Sequence, residues 1–305
     1  MAVGSAFCWT VVDIARKHIG AKMSASVAVT GLMLAQLPFM LPFMGAASAG
    51  VSPDSDLRVV ELLFVEFPAI DAGYLTFAVA SVLLNIFANW LFLRAVQVSP
   101  LSLTTPYLSF TPVFSALVAF LWLGEEVTTW GIAGILTVCV GAFFLNPGAK
   151  GEGLLAPFKA LWSERGSFYM LIVAIVWSVT PILDKSASVQ TSAIFHTFFL
   201  AAGVGVTFAV WQIAAGRASE ILGQLKLMPA LIMLGGAMLV GAMVLQLSSY
   251  AYVEIAYVET IKRALGVVGA MVAGYLIFGE KDIARRFLGA TVMVVGVAMV
   301  LFGGN

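Results

Sequence analysis

Long apolar runs, broken at intervals by charged or turn residues, dominate the chain. Ten such runs lie near residues 2–17, 25–45, 72–94, 102–123, 128–146, 166–184, 190–214, 228–250, 258–279 and 284–303. A helix that crosses a bilayer needs about 20 apolar residues. The pattern therefore predicts an all-α polytopic membrane protein with ten transmembrane helices. The first run is the most charged, because Asp13, Arg16 and Lys17 crowd its end. It lacks the basic start and small-residue cleavage site of a signal peptide, so it reads as a helix.

Two segments outside these runs show amphipathic spacing. In residues 56–67, Val60, Leu63, Phe64 and Phe67 follow a helical period, with Arg58, Glu61 and Glu66 elsewhere. Leu154, Leu155, Phe158, Leu161 and Trp162 do the same in residues 153–165. Each predicts a short helix, lying in the headgroup layer or packed on the bundle.

Composition narrows the class. Of 305 residues, 61% are hydrophobic and 10% charged, with a mean hydropathy of +1.01. Soluble domains are about 45–50% apolar and about 25% charged. A soluble enzyme, a disordered chain and a nucleic-acid binder are all excluded, the last because Lys+Arg and Asp+Glu balance at 16 each. Cys8 and Cys139 sit in apolar runs and suggest neither a disulfide framework nor a metal site. There is no phosphate-binding GxxxxGK[ST] loop, no HExxH and no plausible triad. No cofactor and no enzymatic activity are expected.

The basic residues also orient the chain. Arg16, Lys17, Lys22, Arg94, Lys150, Lys159, Arg165, Arg217, Lys226, Lys281, Arg285 and Arg286 follow odd-numbered runs, whereas only Arg58 and Lys185 follow even-numbered ones. Cytoplasmic loops carry the Lys/Arg excess. The first set is therefore expected in the cytoplasm, with both termini outside, in a prokaryotic inner membrane.

The two halves of the chain repeat each other. Trp9, Ile14 and Lys17 match Trp177, Ile182 and Lys185 at an offset of 168. Later, at an offset of 155, Thr105 matches Thr260, Gly124-Glu125 matches Gly279-Glu280, Gly134 matches Gly289, and Gly141 matches Gly296. Five helices per half is an odd number, so the second copy is inserted upside down. The expected organisation is a first repeat over 1–146, an interfacial linker over 147–165 and a second repeat over 166–305.

The run PLSLTTPYLSFTPVF at residues 100–114, followed by Leu123-Gly124-Glu125 and by Gly134 and Gly141, resembles the EamA domain of the drug/metabolite transporter superfamily. The second half repeats it from Ile261-Lys262-Arg263 to Phe278-Gly279-Glu280. The resemblance implies ten helices in two inverted five-helix repeats, and export or exchange of small metabolites. Ten-helix members are commonly drawn with both termini in the cytoplasm; the charge count places them outside.

Polar groups within hydrocarbon are expensive and point to function. On the inner side of the first half they are Asp13, Arg16, Lys17 and Arg94, with Ser102, Thr104 and Thr105. On the outer side of the second half they are Asp184, Lys185, His196, Glu254, Glu259, Lys262 and Arg263. Glu259, Lys262 and Arg263 stand at i, i+3 and i+4, so the acid can pair with either base. A structural pair, a gate and an anchor for an anionic substrate group all remain open there, and a cationic substrate is disfavoured. Basic side chains at helix ends also snorkel without other purpose.

Trp9 and Trp177 lie about 12 Å inward of Lys17 and Lys185, too deep for an interfacial belt. They are candidates for stacking on a flat substrate. Asn85 and Asn89, at i and i+4, should face the bundle interior. Gln36 and Gln246 read as interhelical glue or lining, and Tyr107, Ser109, Tyr250 and Tyr252 could complete the lining. The substrate-binding candidates are Trp9, Asn85, Asn89, Tyr107, Trp177, Tyr250, Lys262 and Arg263. Gating or coupling candidates are Asp13, Arg94, Asp184, His196 and Glu259. Pro106, Pro112 and Pro181 predict kinks that free backbone carbonyls.

A secondary transporter of a small organic metabolite, working by alternating access, is the leading expectation. A flippase for lipid or lipid-linked substrates and a non-transporting scaffold are the alternatives. The expected partners are a small-molecule substrate and membrane lipid, not nucleic acid. A homodimer is left open.

Overall fold

The structure, a computed structural model, describes residues 1–20, 22–42, 59–62, 65–68, 70–98, 105–145, 165–276 and 283–303. Its helices are α1 (Ala2–Gly20), α2 (Ala25–Leu34), α3 (Ala72–Val98), α4 (Thr111–Leu123), α5 (Thr129–Leu145), α6 (Arg165–Ser188), α7 (Ala193–Ala214), α8 (Ala218–Leu225), α9 (Pro229–Ser249), α10 (Ile255–Leu276) and α11 (Ile283–Gly303). Each apolar run of the sequence holds one of them, and α8 is a short addition between α7 and α9.

Among the described residues, five helical stretches are long and apolar enough to cross a membrane: Ala25–Pro42, Ala72–Ala95, Arg165–Ser188, Ala193–Ala214 and Pro229–Ser249. Tyr107–Leu123, Thr129–Ala142 and Leu288–Phe302 are shorter apolar helices. α1 and α10 each carry three charged residues within their length. Many large apolar side chains face outward while several polar ones are buried. Leu83, Leu121, Trp130, Val206 and Ile213 are exposed, whereas Ser81, Asp184, His196, Gln246 and Glu259 are buried. Apolar side chains facing outward and polar ones facing each other suit a hydrocarbon solvent.

Residues 59–62 and 65–68 do not form the predicted amphipathic helix. They are two antiparallel strands, β1 (Val59–Leu62) and β2 (Val65–Pro68), with Val59 opposite Pro68 and Leu62 opposite Val65. Val59, Val60 and Val65 are β-branched and favour a strand. Over so short a stretch the spacing of apolar residues cannot separate the two periods. The predicted segment at 153–165 lies outside the described residues, except Arg165, which opens α6.

Proline explains the local breaks. α2 stops at Leu34, turns at Ala35 and Gln36, and helix resumes at 37–42. Pro38 has no N–H and its ring clashes with the carbonyl four residues back. The fourth run begins as a 3₁₀ turn, Thr105–Phe110, before α4 starts with Pro112 in its first turn. A proline needs no partner there, so the expected kink is replaced by a change of helix type. Pro181 is buried inside α6, which continues to Ser188. Gly124 ends α4 at a φ of 68°, a left-handed conformation that glycine adopts at low cost.

The chain divides into two compact units. The first contains α1, α2, the hairpin, α3 to Ile86, and the chain from Leu183 to Ala251, hence α7, α8 and α9. Its core joins Val12, Ala15 and Ile19 of α1, Val27 and Leu32 of α2, and Ile232 and Leu239 of α9. α7 packs on α2 and places Val204 and Phe208 against Val82 of α3.

The second unit contains the rest of α3, α4, α5, α6 to Ile182, α10 and α11. Its most extensive packing joins α5 to α11. These helices touch through backbone. A methyl group on Gly134 would lie 2.7 Å from the Gly296 carbonyl oxygen, and one on Gly141 would lie 2.8 Å from that of Gly289. Chain order reverses between the two contacts, so α5 and α11 are antiparallel.

Candidate functional site

Polar side chains in the first unit gather at two places. The first lies among α3, α6 and α7. His196 follows the N-cap Ser192, whose hydroxyl accepts from Phe195 N and fixes the first turn of α7. Its Nε2 lies 3.1 Å from Asp184 Oδ1, near the end of α6. The same oxygen accepts from Ser81 Oγ of α3 at 2.5 Å. Tyr74 Oη, two turns earlier on α3, lies 3.4 Å from His196 Nδ1. Asn85 Nδ2 donates to the Ser81 carbonyl at 3.0 Å and approaches Ser81 Oγ at 3.3 Å. Tyr74, Ser81, Asp184 and His196 are at most 5% exposed. Three helices thus bury one carboxylate–imidazole pair with a hydroxyl at each end. The Tyr74 ring is braced by Phe195 and Phe199 at centroid distances of 5.7 and 5.6 Å.

The second place joins α1 to α9. Trp9 Nε1 donates to Gln246 Oε1 at 2.9 Å, and Gln246 Nε2 donates to Tyr250 Oη at 2.6 Å. One turn before Trp9, Ser5 Oγ donates to the Ala242 carbonyl at 2.7 Å. The Arg16 guanidinium lies over the Trp9 ring, 5.4 Å from a centroid, and reaches Asp13 at 3.4 Å. Trp9 therefore has its polar edge pinned and one face beside a cation. Asp13 and Arg16 are open to the surroundings, which makes theirs a weak pair. Lys17, beside them, belongs to those residues whose side chains are outside the description.

In the second unit, Glu259 and Lys262 of α10 form the predicted pair, Nζ to Oε1 at 2.6 Å. Glu259 is nearly fully buried and Lys262 partly so. Arg263, one residue on, is partly buried. The start of α10 is held from outside. Glu125 Oε2 accepts from Ile255 N at 2.9 Å, and Tyr257 Oη accepts from Thr128 N at 3.0 Å. Glu125 thus caps the positive end of α10. Elsewhere in this unit Tyr107 is buried with Ala88, Leu91, Met170 and Val173, and Trp177 lies at the edge of that cluster, 5.9 Å from the Phe92 ring. Arg94 is exposed over Trp90, and Asn89 is half-buried.

The structure joins Asp184 to His196 directly and to Asn85 through Ser81, Trp9 to Tyr250 through Gln246, and Glu259 to Lys262. It assigns Trp9 to the first unit and Trp177 to the second. Gln36 bonds its own helix, with Nε2 3.4 Å from the Leu32 carbonyl oxygen, and Tyr252 is exposed. Sequence reasoning missed Tyr74, Ser81 and the capping role of Glu125. A serine at a–4 spacing from Asn85 was the available signal for Ser81, because i and i+4 share a face.

Residues 1–146 match the model of a family described as EamA-like transporters. This part of the chain is similar to that family. A solved chain described as "Crystal structure of protein" is 13% identical, with a TM-score of 0.60, over 99% of this chain and 96% of that one. At such identity the likeness is one of fold, and it extends through both halves. No curated protein matches the sequence. The chain is thus a largely helical polytopic membrane protein, and its first 146 residues are similar to membrane transporters.

Proposed function

We propose that the EamA-like chain is a secondary transporter that exports or exchanges a small organic metabolite by alternating access, built from two inverted five-helix repeats. It sits in the inner membrane with both termini outside.

One observation carries this reading. The offset of 155 that pairs Gly134 with Gly289 and Gly141 with Gly296 in the sequence is crossed in space: Gly134 meets Gly296, and Gly141 meets Gly289. The neighbours follow suit. A methyl on Gly141 would lie 2.8 Å from Met293 N, and one on Gly296 would lie 2.8 Å from Val138 N. Residues 138 and 293 are themselves 155 apart. Contacts in which i meets j′ and j meets i′ are those of a two-fold axis. An antiparallel pair related in this way is what inverted repeats in a membrane produce.

Helix directions within each unit agree. Along α3 and α7, Tyr74 meets His196 and Val82 meets Gly203, so these two helices run parallel. Thr30 meets Gln212 and Leu34 meets Gly205, so α2 and α7 are antiparallel. Alternating crossings place the third and seventh runs in one direction and the second in the other.

In this reading Trp9, Asn85, Asn89, Tyr107, Trp177, Tyr250, Lys262 and Arg263 contact substrate, the indoles by stacking and the bases by attracting an anionic group. Asp13, Arg94, Asp184, His196 and Glu259 gate or couple. A thermal-shift screen of the purified protein against amino acids, amines, nucleosides and lipid headgroups tests the substrate class. A carboxylate-bearing amphipathic compound should raise the melting temperature, and Trp9→Ala should remove that rise. Stabilisation by lipid headgroups alone would instead support a flippase.

A further inference from the structure

We propose that α8 and the end of α7 form a surface that binds anionic phospholipid headgroups, with Arg217 and Lys226 each holding one phosphate. The proposal rests on the membrane-spanning fold and not on the transport reading.

The surface begins at a turn. α7 ends at Ala214, and Gly216 takes a φ of 75°, which glycine adopts at low cost. Arg217 N then donates to the Gln212 carbonyl at 3.0 Å, and Gly216 N to that of Ile213 at 2.9 Å. These are the two bonds of a Schellman motif. They fix Arg217 at the negative pole of α7, where a cation is favoured. Its guanidinium lies back over the exposed Trp211, 5.6 Å from a ring centroid. Stacking on an indole leaves the N–H edge of the guanidinium open, and that edge matches a phosphate.

One side of α8 is fixed to the bundle. Ile221 joins the core made by α1, α2 and α9, and Leu225 packs against it. Gly31 of α2 admits Leu225, since a methyl there would lie 2.6 Å from Leu225 Cδ2. Gln224 Oε1 accepts from Ser24 N, just before α2, at 2.7 Å. Leu222 and, just past the helix, Leu227 are exposed, as is Lys226. Leu222 and Lys226 stand at i and i+4, so leucine and ammonium share a face. A helix that turns one apolar face to the bundle and an exposed leucine and lysine outward suits the headgroup layer.

Charge selects the occupant. Residues 216–228 carry Arg217 and Lys226 against one acid, Glu220. Glu220 Oε1 accepts from Gln224 Nε2 at 2.7 Å. Among the described residues no ion pair joins Arg217 or Lys226 to an acid. The two bases are about 14 Å apart along the helix, too far to share one phosphate. A soluble anion would satisfy the cations but leave Trp211, Leu222 and Leu227 in water, whereas phospholipid covers both kinds of surface. The orientation proposed above places this surface in the cytoplasmic leaflet, which is the negative one.

The test uses the full-length protein in a Cys8→Ser, Cys139→Ser background, with Leu222→Cys carrying a bimane label, in phosphatidylcholine nanodiscs. Brominated phosphatidylglycerol and brominated phosphatidylcholine are compared as quenchers. Both should quench, and phosphatidylglycerol should be preferred by about 5-fold for each base at the surface. Arg217→Gln and Lys226→Gln should each remove about 5-fold, and the double variant should show no preference. Lys226→Arg should retain it. Both side chains are exposed, so the variants should melt with the parent protein.

A label quenched by neither lipid would overturn the proposal, because α8 would then lie away from the bilayer. Equal quenching by the two lipids would overturn it too, as would a preference that survives in the double variant. Loss of the preference on adding millimolar inorganic phosphate, at constant ionic strength, would mark a site for soluble anions instead and would also overturn it.

Discussion

Trp9 makes the sharpest single-residue case. Its indole is fixed through Gln246 to Tyr250, and Arg16 lies over one face. If the ring stacks on substrate, Trp9→Ala should weaken binding by about 1–3 kcal/mol, the range of a truncated hot-spot aromatic. Trp9→Phe keeps the ring but drops the bond to Gln246. It should cost about 0.5–1.5 kcal/mol of stability and less binding than alanine. Calorimetry with a stabilising compound, alongside melting curves, distinguishes these effects. Equal loss of fold and binding in both variants would mark Trp9 as packing. Glu259 and Lys262 give a second case. Glu259→Gln leaves the ammonium beside a neutral amide, and stability should fall by up to about 3–5 kcal/mol. Lys262→Met and Arg263→Met should abolish transport with smaller losses of melting temperature. Full transport by both methionine variants would reduce the trio to a structural pair.

At the scale of elements, the long helices were legible because ten apolar runs have no other stable form in a bilayer. The hairpin at 59–68 was not. Four residues of Val-Val-Glu-Leu satisfy a helical or a strand period equally, and only β-branching separates them. The polar site was half legible. Asp184 and His196 stood out as charges in apolar sequence, whereas Tyr74 and Ser81 are neutral residues that many membrane helices carry. What brings them to the pair is the packing of α3 on α7, which no local pattern encodes. Glycine supplies the test at this scale. Gly134→Leu or Gly296→Leu places a side chain where even a methyl would lie 2.7–2.8 Å from a carbonyl oxygen of the facing helix. The loss should reach about 1–3 kcal/mol or more, the cost of overpacking. Gly223→Ala in α8 has no atom within 4 Å of the new methyl. It should leave stability unchanged or raise it by about 0.4–1 kcal/mol. Equal melting temperatures for the two glycine classes would contradict the close approach of α5 and α11.

For the whole molecule, neither sequence half supplies a complete unit. The first unit takes α1 and α2 from one half and α7 to α9 from the other, and the second takes α4 and α5 with α10 and α11. Sequence halves that share helices between units in this way depend on each other for burial. Residues 1–146 made alone should therefore be degraded or aggregate, and co-expression with residues 147–305 should restore a folded protein. Orientation is tested by single cysteines in a Cys8→Ser, Cys139→Ser background. Asn305→Cys should react with an impermeant maleimide from outside, and Arg217→Cys only after the membrane is opened. The reverse pattern would overturn the inference from basic residues.

Counterflow tests the central claim, that this EamA-like chain moves a small metabolite across the membrane, most directly. A compound that raises the melting temperature of the purified protein is loaded unlabelled into proteoliposomes, and the labelled form is added outside. The account predicts transient accumulation of label above equilibrium, dependent on the internal load and lost in Trp9→Ala. A compound that binds and stabilises the protein, yet is exchanged in neither direction, would contradict it.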